Sequence, residues 1–290
     1  MTFAALVLDP FLDYGFMRRA LVACVALGLG AGPVGVLLML RRMSLVGDAM
    51  SHAVLPGAAI GFLLAGGLSL TAMGIGGLIA GLAVALLSGL VTRTTVLRED
   101  ASFATFYLTS LAAGVLIVSL RGSNIDLLHV LFGTILAIDA AALYLVAAIT
   151  SFTLVVLALV YRPLVVECFD PGFLRAVGGR GSVYHLAFLL LVVLNLVAGF
   201  QALGTLMAVG LMMLPAAIAQ LWTRSLPLMM VIAAGTGALS GFVGLLVSYH
   251  HAVASGPTII LTASAIYGAS LLLAPAGAVW RLIPRPHLKG

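Results

Sequence analysis

The sequence predicts an all-α membrane protein with eight or nine transmembrane helices, and three observations carry this prediction. Hydrophobic residues make up 63% of the 290 residues and charged residues only 8%, too few to cover the surface of a soluble protein of this size. Apolar runs of about 20 residues, the length that spans a bilayer, recur along the whole chain. The longest polar stretch, residues 161–182, is too short for a soluble domain. We therefore expect residues 1–290 to form a single transmembrane domain.

Nine apolar segments are predicted as spans, of which the first is the weakest. They cover residues 16–40, 47–67, 70–92, 102–120, 140–161, 183–200, 203–222, 226–249 and 257–281. A shorter apolar piece, residues 125–138, cannot span and is predicted as a re-entrant or interfacial helix. The start of the chain carries acidic residues and lacks a basic region before its apolar residues, so we expect no cleavable signal peptide.

The basic residues predict the orientation of the spans. With nine spans, eleven positive charges fall on one side of the membrane and three on the other. The larger set comprises Arg41, Arg42, Arg93, Arg98, Arg162, Arg175, Arg180, Arg224, Arg281, Arg285 and Lys289. Because cytoplasmic loops are enriched in Arg and Lys, this set and the C-terminus are predicted to be cytoplasmic. Arg18 and Arg19 argue for the opposite placement of the N-terminus. Short basic loops, rather than one basic patch, also exclude nucleic-acid binding.

Asp48 and His52 are the most informative pair of residues. They lie four residues apart in an apolar segment, so a helix projects both from one face. Ionisable side chains are costly in hydrocarbon and usually line a cavity, pair with each other or serve a substrate. A carboxylate and an imidazole suit zinc, manganese or ferrous iron. The pair therefore indicates a metal or proton pathway, or else an ion pair that fixes packing. Pro56 and Gly57 predict a kink just beyond it.

Two further groups of histidines are candidate ligands of lower rank. His250 and His251 are predicted in a loop on the outer side, where they could receive a metal ion or serve no special role. Asp126 and His129 lie three residues apart in the short outer helix. They form either a polar vestibule or an ordinary solvated face.

Four other side chains have simpler interpretations. Cys24, in an apolar run, and Cys168, in a predicted loop, are far apart and are expected to be free thiols. Asn195 and Gln201 are isolated polar groups in apolar segments. Both are predicted to form hydrogen bonds between helices.

Residues 161–178 predict a cytoplasmic amphipathic helix. Asp170 followed by Pro171 is typical of an N-cap and a first-turn proline. The residues from Phe173 then form a short helix that ends at Gly178. Such a helix either lies on lipid headgroups or docks onto a soluble partner.

The chain lacks the motifs of the common catalytic classes. Lys289 is its only lysine, so it has no lysine-bearing phosphate loop and cannot be a Walker-type ATPase. It contains neither a His-Glu-x-x-His zinc motif nor a Gly-x-Ser-x-Gly nucleophile motif. Catalysis by this chain itself is therefore not expected.

The sequence resembles the membrane permeases of metal-ion ABC importers, which handle zinc, manganese and sometimes ferrous iron. The most specific match is residues 42–57, Arg-Met-Ser-Leu-Val-Gly-Asp-Ala-Met-Ser-His-Ala-Val-Leu-Pro-Gly. Further matches are Arg98-Glu-Asp, Asp126-Leu-Leu-His-Val-Leu-Phe-Gly, Phe169-Asp-Pro, Gly204-Thr-Leu-Met, Leu214-Pro-Ala-Ala, Gly244-Leu-Leu-Val-Ser-Tyr and Ser255-Gly. One departure is Ala-Ser-Phe-Ala-Thr-Phe after Asp100, where the family often has Ala-Ile-Gly.

The resemblance implies a homodimer or pseudo-dimer around one path, two cytoplasmic ATP-binding subunits and an extracytoplasmic metal-binding protein. Asp48 and His52 would serve the metal in the pathway. A coupling helix containing Phe169, Asp170, Pro171, Phe173, Leu174 and Gly178 would sit in a groove of the ATPase. The metal would be cargo, with no permanently bound cofactor, and the protein would lie in the bacterial inner membrane.

Two questions stay open from the sequence. The outer histidines favour zinc slightly over manganese, because imidazole suits zinc well. The competing function is a proton-coupled secondary transporter with Asp48 and His52 as a proton relay.

Overall fold

The computed structural model describes residues 3–67, 69–120, 138–179 and 181–277, and this part of the chain forms eleven helices without a strand. The predicted short outer helix with Asp126 and His129 lies outside the described residues. The helices are α1 (Phe3–Asp13), α2 (Gly15–Leu40), α3 (Ser44–Ala65), α4 (Leu70–Thr94), α5 (Glu99–Leu120), α6 (Ala140–Phe169), α7 (Pro171–Ala176), α8 (Gly181–Leu203), α9 (Thr205–Trp222), α10 (Leu226–His251) and α11 (Ser255–Leu273).

Eight of these helices are long and apolar enough to cross a membrane. The ninth candidate, α9, is shorter, with an apolar part at Met207–Trp222. The predicted all-α polytopic fold with eight or nine spans is therefore confirmed. Helix α1 was not predicted from the sequence; it packs Phe11 against Phe242 of α10, with ring centroids 5.2 Å apart.

The bundle is built around α2 and α8. In their most apolar windows, 72% of α2 and 67% of α8 are buried, whereas only 17% of α5 is. Val34 and Leu37 of α2 pack with Leu191 and Leu196 of α8 in the main core cluster. Peripheral helices such as α5 and α11 expose most of their apolar surface, as expected where lipid or another protein chain covers them.

Small residues allow two pairs of helices to touch through their backbones. Gly57 of α3 lies against the carbonyl of Gly76 of α4, and Gly28 of α2 lies against Gly237 of α10. A side chain at any of these positions would collide with the neighbouring helix. The backbone contact holds α3 and α4 at a fixed distance, and this fixes one side of the helix that carries Asp48.

Polar side chains join α6 to the central helices. Asn195 of α8 is buried and donates a hydrogen bond of 2.8 Å to the Thr153 hydroxyl of α6. The Thr150 hydroxyl donates to the Ala26 carbonyl of α2 at 3.0 Å. Gln201 reaches from α8 to Gly74 of α4. The prediction that Asn195 forms a hydrogen bond between helices is thus confirmed.

The predicted loop after residue 161 was wrong in its first half. Helix α6 continues through Pro163 to Phe169, so Cys168 lies in its last turn. A proline removes one helical hydrogen bond, but the residues after it can continue the helix where packing holds them. Here Leu164 is only 1% exposed and packs in the main core cluster, which stabilises the extension. Both cysteines are free thiols, as predicted.

Successive spanning helices alternate in direction. The α2–α3 turn, the α4–α5 turn, α7 and the α9–α10 turn therefore share one end of the bundle. We call it the arginine-rich end; its described arginines are Arg41, Arg42, Arg93, Arg98, Arg162, Arg175 and Arg224. The opposite end carries Arg18 and Arg19, and there Tyr14 lies beside Tyr249, with ring centroids 5.7 Å apart.

Candidate functional site

Asp48 and His52 lie one turn apart near the start of α3. The distance from His52 Nε2 to Asp48 Oδ1 is 3.9 Å, too long for a hydrogen bond. The side chain of His52 is 34% exposed and that of Asp48 is 65% exposed. The two groups therefore share a face and point out of the chain rather than into its core. Asp48 can offer a carboxylate oxygen, and His52 a ring nitrogen, to a bound ion.

The opposite face of α3 holds the pair in place. Val46, Met50 and Ala53 are almost completely buried in the main core cluster. Met50 thus points away from the pair, as its spacing predicts, and serves packing. Gly47 lies against Met213 of α9, and its lack of a side chain lets the two helices approach.

Helix α5 forms one wall beside the pair. The ring of Tyr107 lies 6.3 Å from the imidazole of His52, with 29° between the planes. One turn on, the Ser110 hydroxyl donates to the Ala53 carbonyl at 3.3 Å. Sequence reasoning missed Tyr107. Its signal was weak, since a tyrosine in an apolar segment is ordinary.

The kink predicted beyond His52 does not interrupt the helix. Helix α3 runs without a break from Ser44 to Ala65 and contains Pro56. The helix is held on both sides, because Gly57 contacts Gly76 of α4 and Gly114 of α5 packs against Pro56. Packing therefore compensates for the hydrogen bond that the proline removes.

The exposure of Asp48 requires a polar environment outside this chain. Helix α3 is a candidate span, and an ionised carboxylate facing hydrocarbon costs several kcal/mol. This face must therefore contact water or another protein. Among the described residues, no three His, Cys, Asp or Glu side chains converge on a point. One chain thus supplies a carboxylate and an imidazole, which is a partial ligand set for a divalent metal.

The outer histidines lie elsewhere in the molecule. His250 and His251 are exposed and form the last turn of α10, not the loop that the sequence predicts. Helix α10 ends at the end of the bundle opposite the α2–α3 turn. The structure therefore does not bring these histidines together with Asp48 and His52. His129, the remaining candidate, lies outside the described residues.

The predicted amphipathic helix is present as α7. The Asp170 carboxylate accepts a hydrogen bond of 2.8 Å from the backbone N–H of Phe173, so Asp170 is the N-cap. Gly178, with a φ of +77°, adopts the left-handed conformation that ends the turn. The side chain of Leu174 is buried and anchors the helix, whereas Phe169 and Phe173 are 64% and 56% exposed. The segment thus presents apolar rings at the arginine-rich end, beyond the spanning helices.

Known proteins resemble the chain over nearly its full length. It is 34% identical over 268 residues to the manganese import system permease protein ScaB of Streptococcus parasanguinis, covering 92% of this chain and 94% of that protein. It is 35% identical over 278 residues to the manganese transport system membrane protein MntC of Halalkalibacterium halodurans, covering 94% of both chains. The chelated iron transport system membrane protein YfeD of Yersinia pestis is 32% identical over 268 residues, covering 92% of this chain and 88% of that protein.

A solved structure and a protein-family description match the chain as well. A chain in the solved structure of PsaBC from Streptococcus pneumoniae in complex with Fab superposes with a TM-score of 0.81 at 31% identity, covering 93% of this chain and 96% of that chain. The description of the ABC 3 transport family matches residues 13–274. The resemblance seen in the sequence motifs is confirmed, and the chain belongs to the ABC 3 transport family.

Proposed function

We propose that the chain is the membrane permease of an ABC importer for divalent transition-metal ions. The observation that carries the proposal is the Asp48–His52 pair, exposed on a spanning helix whose opposite face packs in the core. Such a pair offers two ligand atoms to a passing ion, and an incomplete ligand set suits a site that must release its cargo. The chain works as a single transmembrane permease domain and has no nucleotide loop of its own, so a partner subunit hydrolyses the ATP.

A second copy of the chain completes the pathway in this proposal. The face that carries Asp48 also exposes Leu45, whose exposed fraction is 76%, and Leu108 of α5, whose exposed fraction is 54%. A second copy across a two-fold axis would cover this apolar surface and bring a second Asp48–His52 pair opposite the first. Two carboxylates and two imidazoles then surround one path. Four such ligands suit a divalent transition metal.

The ATP-binding subunits dock at α7. Phe173 of α7 and the flanking Phe169 and Val177, the last 61% exposed, form an apolar surface that a soluble partner can cover. Closure of the ATP-binding subunits then moves α7, and this movement opens the path to alternate sides of the membrane. The remaining outer face of the bundle contacts lipid.

The arginine-rich end is cytoplasmic in this proposal, because cytoplasmic loops are enriched in arginine. Helix α11 ends at the same end, so the C-terminus is proposed to be cytoplasmic as well. The opposite end, with His250 and His251, faces outward and receives the ion from an extracytoplasmic metal-binding protein. In a bacterial cell this orientation places the multi-pass permease in the inner membrane.

Manganese is the proposed cargo, ahead of iron and zinc. The sequence alone favours zinc through its outer histidines, but those residues lie far from the Asp48–His52 pair. The manganese and iron names of the similar proteins support a cargo other than zinc. A carboxylate beside an imidazole accommodates Mn²⁺ as well as Zn²⁺. The preference among the three ions can be measured by the concentration of Fe²⁺ or Zn²⁺ that halves the uptake of Mn²⁺.

Energy coupling separates the importer from a proton-coupled carrier. Inside-out vesicles that hold the permease with its ATP-binding subunits, and the binding protein in the lumen, should release Mn²⁺ to the medium only when ATP is added. Collapse of the proton gradient with an ionophore should leave this transport unchanged. Transport that follows the proton gradient and ignores ATP would instead establish the proton-coupled function.

A further inference from the structure

A carboxylate is buried next to α7, outside the metal site. Glu167 lies in the last turn of α6, three residues before the Asp170 cap of α7, and is only 7% exposed. Its Oε2 atom has no hydrogen-bond partner among the described residues. It packs against Gly181, where a Cβ atom would lie 2.5 Å from that oxygen. The carboxylate therefore fills the space between the end of α6 and the start of α8.

An arginine, Arg41, is also partly buried at the arginine-rich end. Arg41 directly follows α2, and its Nη1 atom is buried without a hydrogen-bond partner in the described part of the chain. Its guanidinium carbon lies 5.3 Å from the ring centroid of Phe188 of α8. The turn after Arg41 is tight, because Arg42 has a φ of +59° and α3 begins at Ser44. A backbone movement at Arg41 is thus passed to the first turns of α3, which carry Asp48.

Cys168 lies near both charged groups. Its thiol is within electrostatic range of both Arg41 and Glu167, and its side chain packs against the main core cluster. Arg41 Nη1 and Glu167 Oε2 nevertheless do not bond to each other. The two charged groups therefore lie against the same helix, Glu167 at Gly181 and Arg41 at Phe188 of α8, and their buried atoms are not in contact.

Such an arrangement costs free energy in this state, and an ion pair formed in another state would recover part of it. Burial strips water from both groups, and attraction between opposite charges strengthens as water is excluded. The two groups belong to different moving parts under the proposed function. Glu167 is joined to α7, where the ATP-binding subunits dock, and Arg41 is joined to α3.

We propose that Arg41 and Glu167 form a switchable ion pair, open in this structure and closed when α6 and α7 move towards the α2–α3 turn. The pair transmits movement of α7 to the Asp48–His52 site. This inference rests on the proposed function, because it requires ATP-binding subunits at α7. Both are positioning residues, since neither contacts the metal.

The ratio of ions transported to ATP hydrolysed tests the pair in the reconstituted permease with its ATP-binding subunits and metal-binding protein, with Mn²⁺ as the probe. Glu167→Gln and Arg41→Gln should each lower this ratio at least fivefold, while the amount of folded complex and its basal ATP hydrolysis stay near wild type. The exchanged variant Arg41→Glu with Glu167→Arg should recover much of the ratio. Arg180→Gln, which removes another arginine next to Gly181 in the sequence, is the matched control and should behave as wild type.

A second measurement follows the distance between residues 41 and 167 directly. With Cys24 and Cys168 replaced by alanine, cysteines at positions 41 and 167 should cross-link at different rates without nucleotide and with ATP and vanadate. An unchanged ratio in both single variants, or Arg180→Gln matching Glu167→Gln while Arg41→Gln does not, would overturn the inference. Equal cross-linking in the two nucleotide states would do so as well. A wild-type complex without metal transport driven by ATP would instead contradict the proposed function itself.

Discussion

The ring of Tyr107 on α5 lies 6.3 Å from the imidazole of His52 on α3, with 29° between the two planes. The contact ties the candidate metal site to a helix whose most apolar window is only 17% buried. The side chain of His52 is 34% exposed, and the Tyr107 ring covers part of the rest. We expect this contact to help orient the candidate metal ligand.

Replacement of Tyr107 tests this relationship. Tyr107→Ala should weaken Mn²⁺ transport roughly two- to tenfold, because a ring–ring contact contributes about 0.5–1.5 kcal/mol. Tyr107→Phe keeps the ring and should transport nearly as well as wild type. Initial uptake rates over a range of Mn²⁺ concentrations measure both. Equal losses in the two variants would show that the hydroxyl, not the ring, matters.

The contact between Gly57 and Gly76 predicts a sharp difference between two glycines. Gly57→Ala should lower the stability of the bundle by about 1–3 kcal/mol, because the added methyl group meets the Gly76 backbone. Gly235→Ala, in α10, has open space around it and should be neutral or slightly stabilising. Thermal unfolding of both variants in the same detergent compares them. Equal melting temperatures would contradict the close approach of α3 and α4.

Much of the bundle could be predicted because hydrophobic length alone determines where spans lie. The predicted segment 16–40 corresponds to α2, Gly15–Leu40, and the segment 226–249 to α10, Leu226–His251. Predictions failed where packing overrides a local signal. Pro56 and Pro163 both indicate helix breaks, yet neighbouring side chains hold both helices continuous.

Only those parts of the candidate site that lie within a single helix could be predicted from the sequence. Spacing placed Asp48 and His52 on one face, and Asp170 at the cap of α7, because these relationships lie within a few residues. Tyr107, Glu167 and Arg41 come from separate parts of the chain, so what each of them contacts depends on tertiary packing that the sequence does not reveal.

The hydrogen bond between Asn195 and Thr153 should contribute modestly to stability. Asn195→Ala and Thr153→Val should each destabilise the protein, and the double variant should show a coupling energy of about 0.6 kcal/mol, as is typical for hydrogen bonds between membrane helices. Unfolding of the four proteins in one lipid–detergent mixture measures the cycle. Strictly additive losses would show that the 2.8 Å contact carries no net energy.

Docking at α7 predicts a selective loss of ATP-binding subunits. Phe173→Ala should weaken their association by about 1–2 kcal/mol, or roughly five- to thirtyfold, because it removes an exposed ring from the contact. Leu64→Ala removes an exposed apolar side chain at the far end of α3 and serves as the control, since Leu64 is 83% exposed. Co-purification and titration of the ATP-binding subunits measure both variants. Equal affinity of Phe173→Ala and wild type would move the docking surface elsewhere.

The most direct test of the account is Mn²⁺ transport by Asp48→Asn and His52→Gln, which keep side-chain size while removing the charge or the imidazole. Both variants should assemble with their partners at wild-type levels and lose at least about tenfold in transport, whereas Gly235→Ala in α10, which has open space around it, should transport normally. Wild-type transport by both Asp48→Asn and His52→Gln would contradict the central claim that this pair binds the ion in the pathway.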